Sequence, residues 1–331
     1  SRVMAVIKAN AYGHGLVPAA KALADADGFA VARLGEGLAL RAAGLANRIL
    51  LLEGVFSADQ LAAAAQARFE LMVHSVEQLQ LLDALTGDAR VTAWIKVDSG
   101  MNRLGFRLDD FSAAYERVRR NAHVHAEPTL VTHLASADDR RDPQTRRQLD
   151  AFAAATSGLA GARSIANSAG VLAWPTARAD WVRPGLMLYG VSPFPSGTGT
   201  ELGLRPAMTL RTEVIAVKDV KAGETGGYGG SWTATRDTRR AVVAAGYGDG
   251  YPRGSSSGTP VLIGGRRAPL IGRVSMDMIT VDVTDLPVVA VGDTVVLWGS
   301  EIPVEEVAAH AGAIAWDRLC GVSQRVPLEI G

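Results

Sequence analysis

Polar residues close short apolar runs through the first two-thirds of this 331-residue chain: Lys8, Glu53, His74, Lys96, His133, the pair Asn167–Ser168, and Arg183. A lysine ending a buried run is unusual, because an unpaired ammonium there carries a desolvation penalty. On position alone Lys8 has two readings. It snorkels or pairs with a carboxylate, or its pKa is lowered so that it forms a Schiff base with a carbonyl compound. Asn167-Ser168 and Pro184-Gly185 taken alone are turns; after late strands of a barrel they sit where a phosphate is commonly bound. Lys96 taken alone reads as an ordinary lysine paired with Asp98. Tyr228 stands in a glycine-rich string, GYGGSW (227–232), whose small residues allow close backbone approach, although such a tyrosine alone marks only a turn. A strand-end histidine such as His133 is more often structural, and His123 and His125 alternate as surface residues do. No metal site is expected.

These residues need elements to hold them. The apolar runs Val3 to Lys8, 28–32, 48–53, 69–74, 91–98, 128–133, 163–167 and 181–189 read as strands buried on both faces. Helices lie between them. Ser57-x-x-Gln60 and Ser75-x-x-Gln78 fit capping boxes, the second continuing through Leu79, Leu82 and Leu85. Asp109 is placed to cap a helix carrying Phe111, Tyr115 and Val118. Eight strands alternating with helices predict an α/β fold, a (β/α)8 TIM-type barrel, with an open doubly wound sheet as the competing reading. Barrel enzymes keep their chemistry at the carboxyl ends of the strands, where these polar residues fall. Near residue 195 the texture changes. After Pro206 the chain reads as strands (208–217, 240–245, 260–263, 279–283 and 294–298) with one short helix, Val304 to His310. The expectation is a barrel domain over 1–200 and a smaller, mainly-β domain over 201–331.

Composition narrows the partners. Lysine plus arginine equals aspartate plus glutamate at 34 each, so charge alone does not suit the chain to a nucleic-acid backbone. Uncharged stretches are broken by proline and glycine, so no membrane span is expected. The single cysteine, Cys320, excludes an internal disulfide framework and a multi-thiolate zinc site, and it suits a reducing, cytoplasmic compartment. Cys320 is given no catalytic role.

The string AVIKANAYGHG (5–15) resembles the cofactor-lysine motif of alanine racemases, pyridoxal 5′-phosphate enzymes of fold type III. The likeness continues in order through WIKVDSGMNRLG (94–105), VTHLASAD (131–138), IANSAG (165–170), WVRPGLMLYGVSP (181–193), GYGGSW, GYGDGYPR (246–253), GRVSMDM (272–278) and SQRVP (323–327). It implies L- and D-alanine interconversion by two bases, supplying D-alanine for peptidoglycan or catabolising it. Lys8 would hold the cofactor as a Schiff base and Tyr228, from the partner subunit of a homodimer with shared active sites, would face it. Arg183 would donate to the pyridine nitrogen, with His133 between it and the tyrosine. Tyr12, Asn167, Ser168, Gly185 and Leu186 would bind the phosphate. Lys96 would be carbamylated, giving an anion beside Arg103. Met276 would meet the substrate carboxylate, and Arg273 and Tyr247 would line the entry. Trp316 stands where the family usually has a tyrosine against the phosphate, which bears on selection for alanine. The family also carries about thirty residues before the lysine motif, a helix and a strand, that are expected ahead of Ser1. Rival readings are a broader amino-acid racemase and a single-barrel pyridoxal-phosphate homeostasis protein. The first usually has a signal peptide and a cysteine pair, and the second lacks the β domain. A Schiff-base aldolase barrel would explain Lys8 but not the later matches.

Overall fold

The apolar runs become strands, and most end sooner than hydrophobicity alone suggests. The computed structural model describes residues 1–331 as two units, one of Ser1–Leu188 with Pro193–Pro195 and one of Tyr189–Ser192 with Ser196–Gly331. The first unit carries β1 (Arg2–Val6), β2 (Gly28–Val31), β3 (Arg48–Leu51), β4 (Glu70–Val73), β5 (Thr92–Lys96), β6 (Thr129–Val131), β7 (Arg163–Ser164) and β8 (Trp181–Val182). They pair in that order, in parallel, and β8 returns to β1 through Arg2↔Trp181 and Val3↔Val182. Closure into a barrel excludes the open sheet.

The helical segments of this unit are α1 (Lys8–Tyr12), α2 (Leu16–Ala22), α3 (Leu34–Ala42), α4 (Ala58–Gln66), α5 (Val76–Asp83), α6 (Leu108–Arg120), α7 (Gln144–Ala155) and α8 (Ser168–Ala173). Ser57 and Ser75 cap α4 and α5, their hydroxyls accepting from Gln60 N (3.2 Å) and Gln78 N (3.4 Å). The reciprocal half is displaced by one residue. The Gln60 and Gln78 side-chain oxygens accept from Phe56 N and His74 N, at 2.9 Å each, rather than from the amides of the caps themselves. At α6 the expectation fails: Arg107 is the extended residue before the helix, and Asp109 lies inside the first turn, where its charge faces the positive end of the dipole.

Two of these early strand ends bear on the site. β1 stops at Val6, so Lys8 opens a turn instead of closing a strand. β8 stops at Val182 and the chain coils into a 3-10 turn at Leu186–Tyr189, because Pro184 has no N–H to continue a ladder. At the amino-terminal end of the strands the floor is aromatic. Trp94 and Trp181 meet with ring centroids 5.5 Å apart. Arg2 and Arg48 lie over Trp181 at 4.1 and 4.8 Å, and buried Glu70 accepts from Trp94 Nε1 (2.6 Å) while pairing with Arg48.

The second unit contains β9 (Leu210–Val220), β10 (Thr225–Gly226), β11 (Trp232–Thr233), β12 (Thr238–Val243), β13 (Pro260–Ile263), β14 (Arg266–Pro269), β15 (Ile279–Asp282) and β16 (Thr294–Trp298), with α9 (Val304–His310) and α10 (Ala315–Cys320). Six strands form an antiparallel sheet in the order β14-β13-β16-β9-β12-β15, and β10 and β11 form a separate ribbon. Strand β14 escaped the sequence reading. Its signal was Gly264-Gly265, both at positive φ (58° and 74°), a two-residue hairpin turn. No helix of the chain is long and apolar enough to cross a membrane.

Candidate active site

Residues just past the carboxyl ends of parallel barrel strands share one mouth. Lys8 is exposed there, at the start of α1. The turn is left-handed: Ala9, Asn10, Ala11 and Tyr12 have φ of 53°, 54°, 53° and 52°. Each non-glycine residue in that region costs about 1–2 kcal/mol, so the turn must be held from outside. Part of the hold is local, since Asn10 Oδ1 accepts from Leu16 N at 2.8 Å.

Arg183 follows β8 and is only 5% exposed. No carboxylate neutralises it. Its Nη1 donates to Ser164 Oγ (2.5 Å), and its Nη2 donates to the carbonyls of Thr132 (2.7 Å) and Ile165 (3.2 Å) and to His133 Nδ1 (3.5 Å). Burial lowers its pKa to about 10, so it remains charged at neutral pH. Burial first, then the charges of Arg183, Lys96, Arg103 and Lys8, hold His133 well below the usual imidazole range. His133 is therefore neutral, and with Nδ1 accepting, the network assigns its proton to Nε2.

Lys96 closes β5 at 8% exposure. Burial, followed by Arg183 and Arg103, lowers its pKa to about 8. The ordinary pairing with Asp98 does not form, because Asp98 Oδ1 accepts from the amides of Gly100, Met101 and Asn102 at 2.9–3.0 Å. Arg103 lies exposed in the loop beyond. His74, after β4, has its Nε2 3.0 Å from Glu53 O, and desolvation lowers its pKa.

A cradle forms between α8 and the segment after β8. Ser168 Oγ accepts from Gly185 N (2.9 Å) and Met187 N (3.3 Å). Asn167 caps α8 through Gly170 N (2.9 Å) and donates to Leu134 O (3.3 Å). A Cβ at residue 185 would stand 2.7 Å from the Tyr12 hydroxyl, so only glycine lets that phenol lie against the backbone beside Leu186. Hydroxyls and amides therefore converge near a mouth holding Lys8, Lys96, Arg103 and Arg183, none of them salt-bridged to a carboxylate. Such a donor set fits an anionic, phosphate-bearing cofactor attached at Lys8.

Two glutamines that sequence reasoning missed support the mouth from behind. Gln148 on α7 is fully buried; its Oε1 accepts from Ala135 N (2.8 Å) and its Nε2 donates to His133 O (3.0 Å) and Ser99 Oγ (3.4 Å). Gln144, one turn earlier, donates to Gly100 O at 2.9 Å. The available signal was a glutamine on the inward stripe of a helix, in step with Phe152.

The remaining expected residues belong to the second unit. Tyr228 lies between β10 and β11 and is 72% exposed, flanked by Gly227, Gly229 and Gly230, all at positive φ. Tyr247 and Met276 are held together, Tyr247 N donating to Ser275 O (3.0 Å) and Gly248 N to Met276 O (2.8 Å). Arg325 ties the same two loops, donating to Asp249 (2.8 Å) and Asp277 (2.7 Å). Arg273 is exposed on the loop before Met276, and Trp316 is half-buried on α10.

A closed parallel barrel with an unneutralised cationic mouth, followed by an antiparallel β unit, defines a two-domain barrel enzyme built for a phosphate-bearing cofactor. Family models for the alanine racemase N-terminal domain and C-terminal domain match residues 1–193 and 207–330. Alanine racemases of Shewanella amazonensis and Aeromonas hydrophila are 50% and 49% identical to the chain, over 98% and 99% of it and 91% and 92% of their own lengths. Among solved structures, the biosynthetic alanine racemase of Pseudomonas aeruginosa superimposes with a TM-score of 0.95 at 48% identity, covering 98% of this chain and 91% of that one. The enzyme of Acinetobacter baumannii gives 0.92 at 38% identity, over 98% and 91%. The chain belongs to the alanine racemase family, whose members are pyridoxal-phosphate-dependent isomerases.

Proposed function

We propose that this chain interconverts L- and D-alanine, working as a cytoplasmic homodimer with pyridoxal 5′-phosphate at the barrel mouth. The observation that carries the reading is Arg183, a buried cation that donates only to neutral acceptors. Pyridoxal 5′-phosphate, when bound, supplies a conjugated ring that takes up the electron pair left as the substrate α-proton departs. Arg183, still protonated near neutral pH, would donate a hydrogen bond to the cofactor's pyridine nitrogen without surrendering its proton, which would restrain that withdrawal. Lys8 would hold the cofactor, and its amine would move the proton on one face of the substrate α-carbon. The partner subunit's Tyr228 moves the proton on the other. Exposure of Tyr228 (72%) and Met276 (54%) suits a surface that a second copy covers. His133, neutral and protonated at Nε2, stands between Arg183 and that phenol as a donor. Ser168, Asn167, Tyr12 and the Gly185 and Leu186 amides hold the phosphate, bordered by Trp316.

Lys96 meets the requirement for a carbamate. Its neutral amine attacks the carbon of carbon dioxide, an N–C bond forms, and one proton leaves to solvent. The resulting anion sits beside Arg103 and orients it toward the substrate, while Met276, Arg273 and Tyr247 meet the substrate carboxylate and line its approach. Lys96→Ala should lose activity and recover part of it with a small added carboxylate; density for an unmodified ammonium in the active enzyme overturns the carbamate. The main reading is tested by incubating the holoenzyme with L-alanine and coupling to D-amino-acid oxidase, with borohydride reduction and peptide mapping alongside. D-Alanine and an adduct on Lys8 are the expected results. A label on Lys21 or Lys96 would reject Lys8, and no D-alanine would reject the racemase.

A further inference from the structure

Four consecutive non-glycine residues in the left-handed region follow Lys8, and such a turn persists only where its surroundings over-determine it. Its internal bonds run from Ala11 N to Ile7 O (2.9 Å), Gly13 N to Ala9 O (3.2 Å) and Gly15 N to Asn10 O (3.0 Å). The amide of Ala9, the first strained residue, takes no part in that set. It donates to Glu36 Oε1 at 2.7 Å. Glu36 stands in the first turn of α3, and its other oxygen accepts from Ala32 N (2.8 Å) and Arg33 N (3.1 Å), the amides that leave β2 and enter the helix. β2 is the barrel neighbour of β1, and Ile7 N, one residue before the lysine, donates to Ala30 O at 2.9 Å. One carboxylate thus joins the strained turn to the rigid strand–helix junction beside it. It forms no ion pair with Lys8 itself.

We propose that Glu36 is a positioning residue for Lys8, latching the left-handed turn so that the amine points along one direction each time it is released. The inference rests on the racemase reading of Lys8, and its test separates the two. Glu36→Gln keeps the volume but places an NH2 against N–H donors whichever way the amide turns, so either the Ala9 bond or the Ala32 and Arg33 pair is lost. In the holoenzyme this variant should lower kcat for alanine about 100-fold, the scale of a small misplacement of a reacting group, with KM within about twofold. Amide exchange over residues 7–16 should rise about tenfold while β9 and β12 keep wild-type protection. Adding Ala9→Gly, which removes the Cβ that makes positive φ costly, should restore kcat about tenfold. A Glu36→Gln enzyme with wild-type kcat and exchange overturns the proposal. Equal loosening of β9 and β12 without recovery by Ala9→Gly, or failure to fold with or without it, also overturns it, since the carboxylate would then hold the fold and not the turn. A wild-type protein that does not racemise alanine, yet loosens at 7–16 in Glu36→Gln, would reject the functional reading and leave the latch standing.

Discussion

Lys96 shows how one buried amine links stability to chemistry. With its pKa near 8, about one amine in ten is neutral at pH 7, against one in several thousand for an ordinary lysine. That neutral fraction is what would attack carbon dioxide in the proposed carbamate. The folded value lies below the unfolded 10.5, so between the two the unfolded chain holds the extra proton and stability rises with pH. In carbon-dioxide-free buffer the urea midpoint should climb from pH 8 to 10.5 by the equivalent of about 3 kcal/mol. Lys96→Met should lack that climb; parallel curves would mean the amine is not desolvated. His133 titrates in the same sense, its lowered value taking stability away as pH falls below 6.5. Tyr228 is tested by its single hydroxyl. Tyr228→Phe should retain α-hydrogen exchange of D-alanine in deuterated water through Lys8 and lose that of L-alanine, with the absorbance of the bound cofactor unchanged. Equal loss for both enantiomers would remove the phenol from the proton path.

Among the elements, α7 does more than cover the barrel. Gln148 reaches through to His133 O, Ala135 N and Ser99 Oγ, so a helix on the outer layer fixes two strand ends at the mouth. Gln148→Leu keeps the bulk but orphans the Ala135 amide and the His133 carbonyl, at about 2–4 kcal/mol, which should lower Tm by about 10 °C. A shift within about 1 °C in thermal unfolding would show that water takes the place of the amide. The sequence made much of this level readable. Val304–His310 appears with its expected bounds, and Ser57 and Ser75 announce α4 and α5, because capping and amphipathic spacing are local properties. Asp109 misled because the extended residue at the start of α6 is Arg107, chosen by the incoming loop rather than by side-chain propensity. The left-handed run at 9–12 offered one compositional cue, Asn10, because asparagine tolerates positive φ while alanine and tyrosine carry no such preference.

For the molecule as a whole, alternation of strand and helix was enough to count the barrel, and closure supplied the rule that brings strand-end residues to one mouth. Partner choice was not open to sequence reasoning in the same way. Asp98 adjoins Lys96 in the chain, yet its carboxylate turns to the loop amides beyond it. Gln148 and Glu36 act across distances that only the closed barrel makes short. The proposed sharing of active sites between two subunits makes a whole-molecule prediction. Lys8→Ala and Tyr228→Phe subunits, each inactive alone, should recover about a quarter of wild-type activity when mixed and allowed to exchange, because half the dimers then hold one intact site. No recovery in verified heterodimers would mean that lysine and tyrosine come from the same chain.

The left-handed turn leaves a mark that a population of genes would record. If the codons for residues 9–11 were randomised and cells grown on the product, survivors should drift toward glycine and asparagine, which tolerate positive φ. Valine, isoleucine and threonine should vanish from those codons while still being accepted on nearby exposed helix faces. Mutational tolerance along this stretch would then follow backbone dihedral angle more closely than burial, so that exposed Ala9 would be as restricted in its alphabet as a core position.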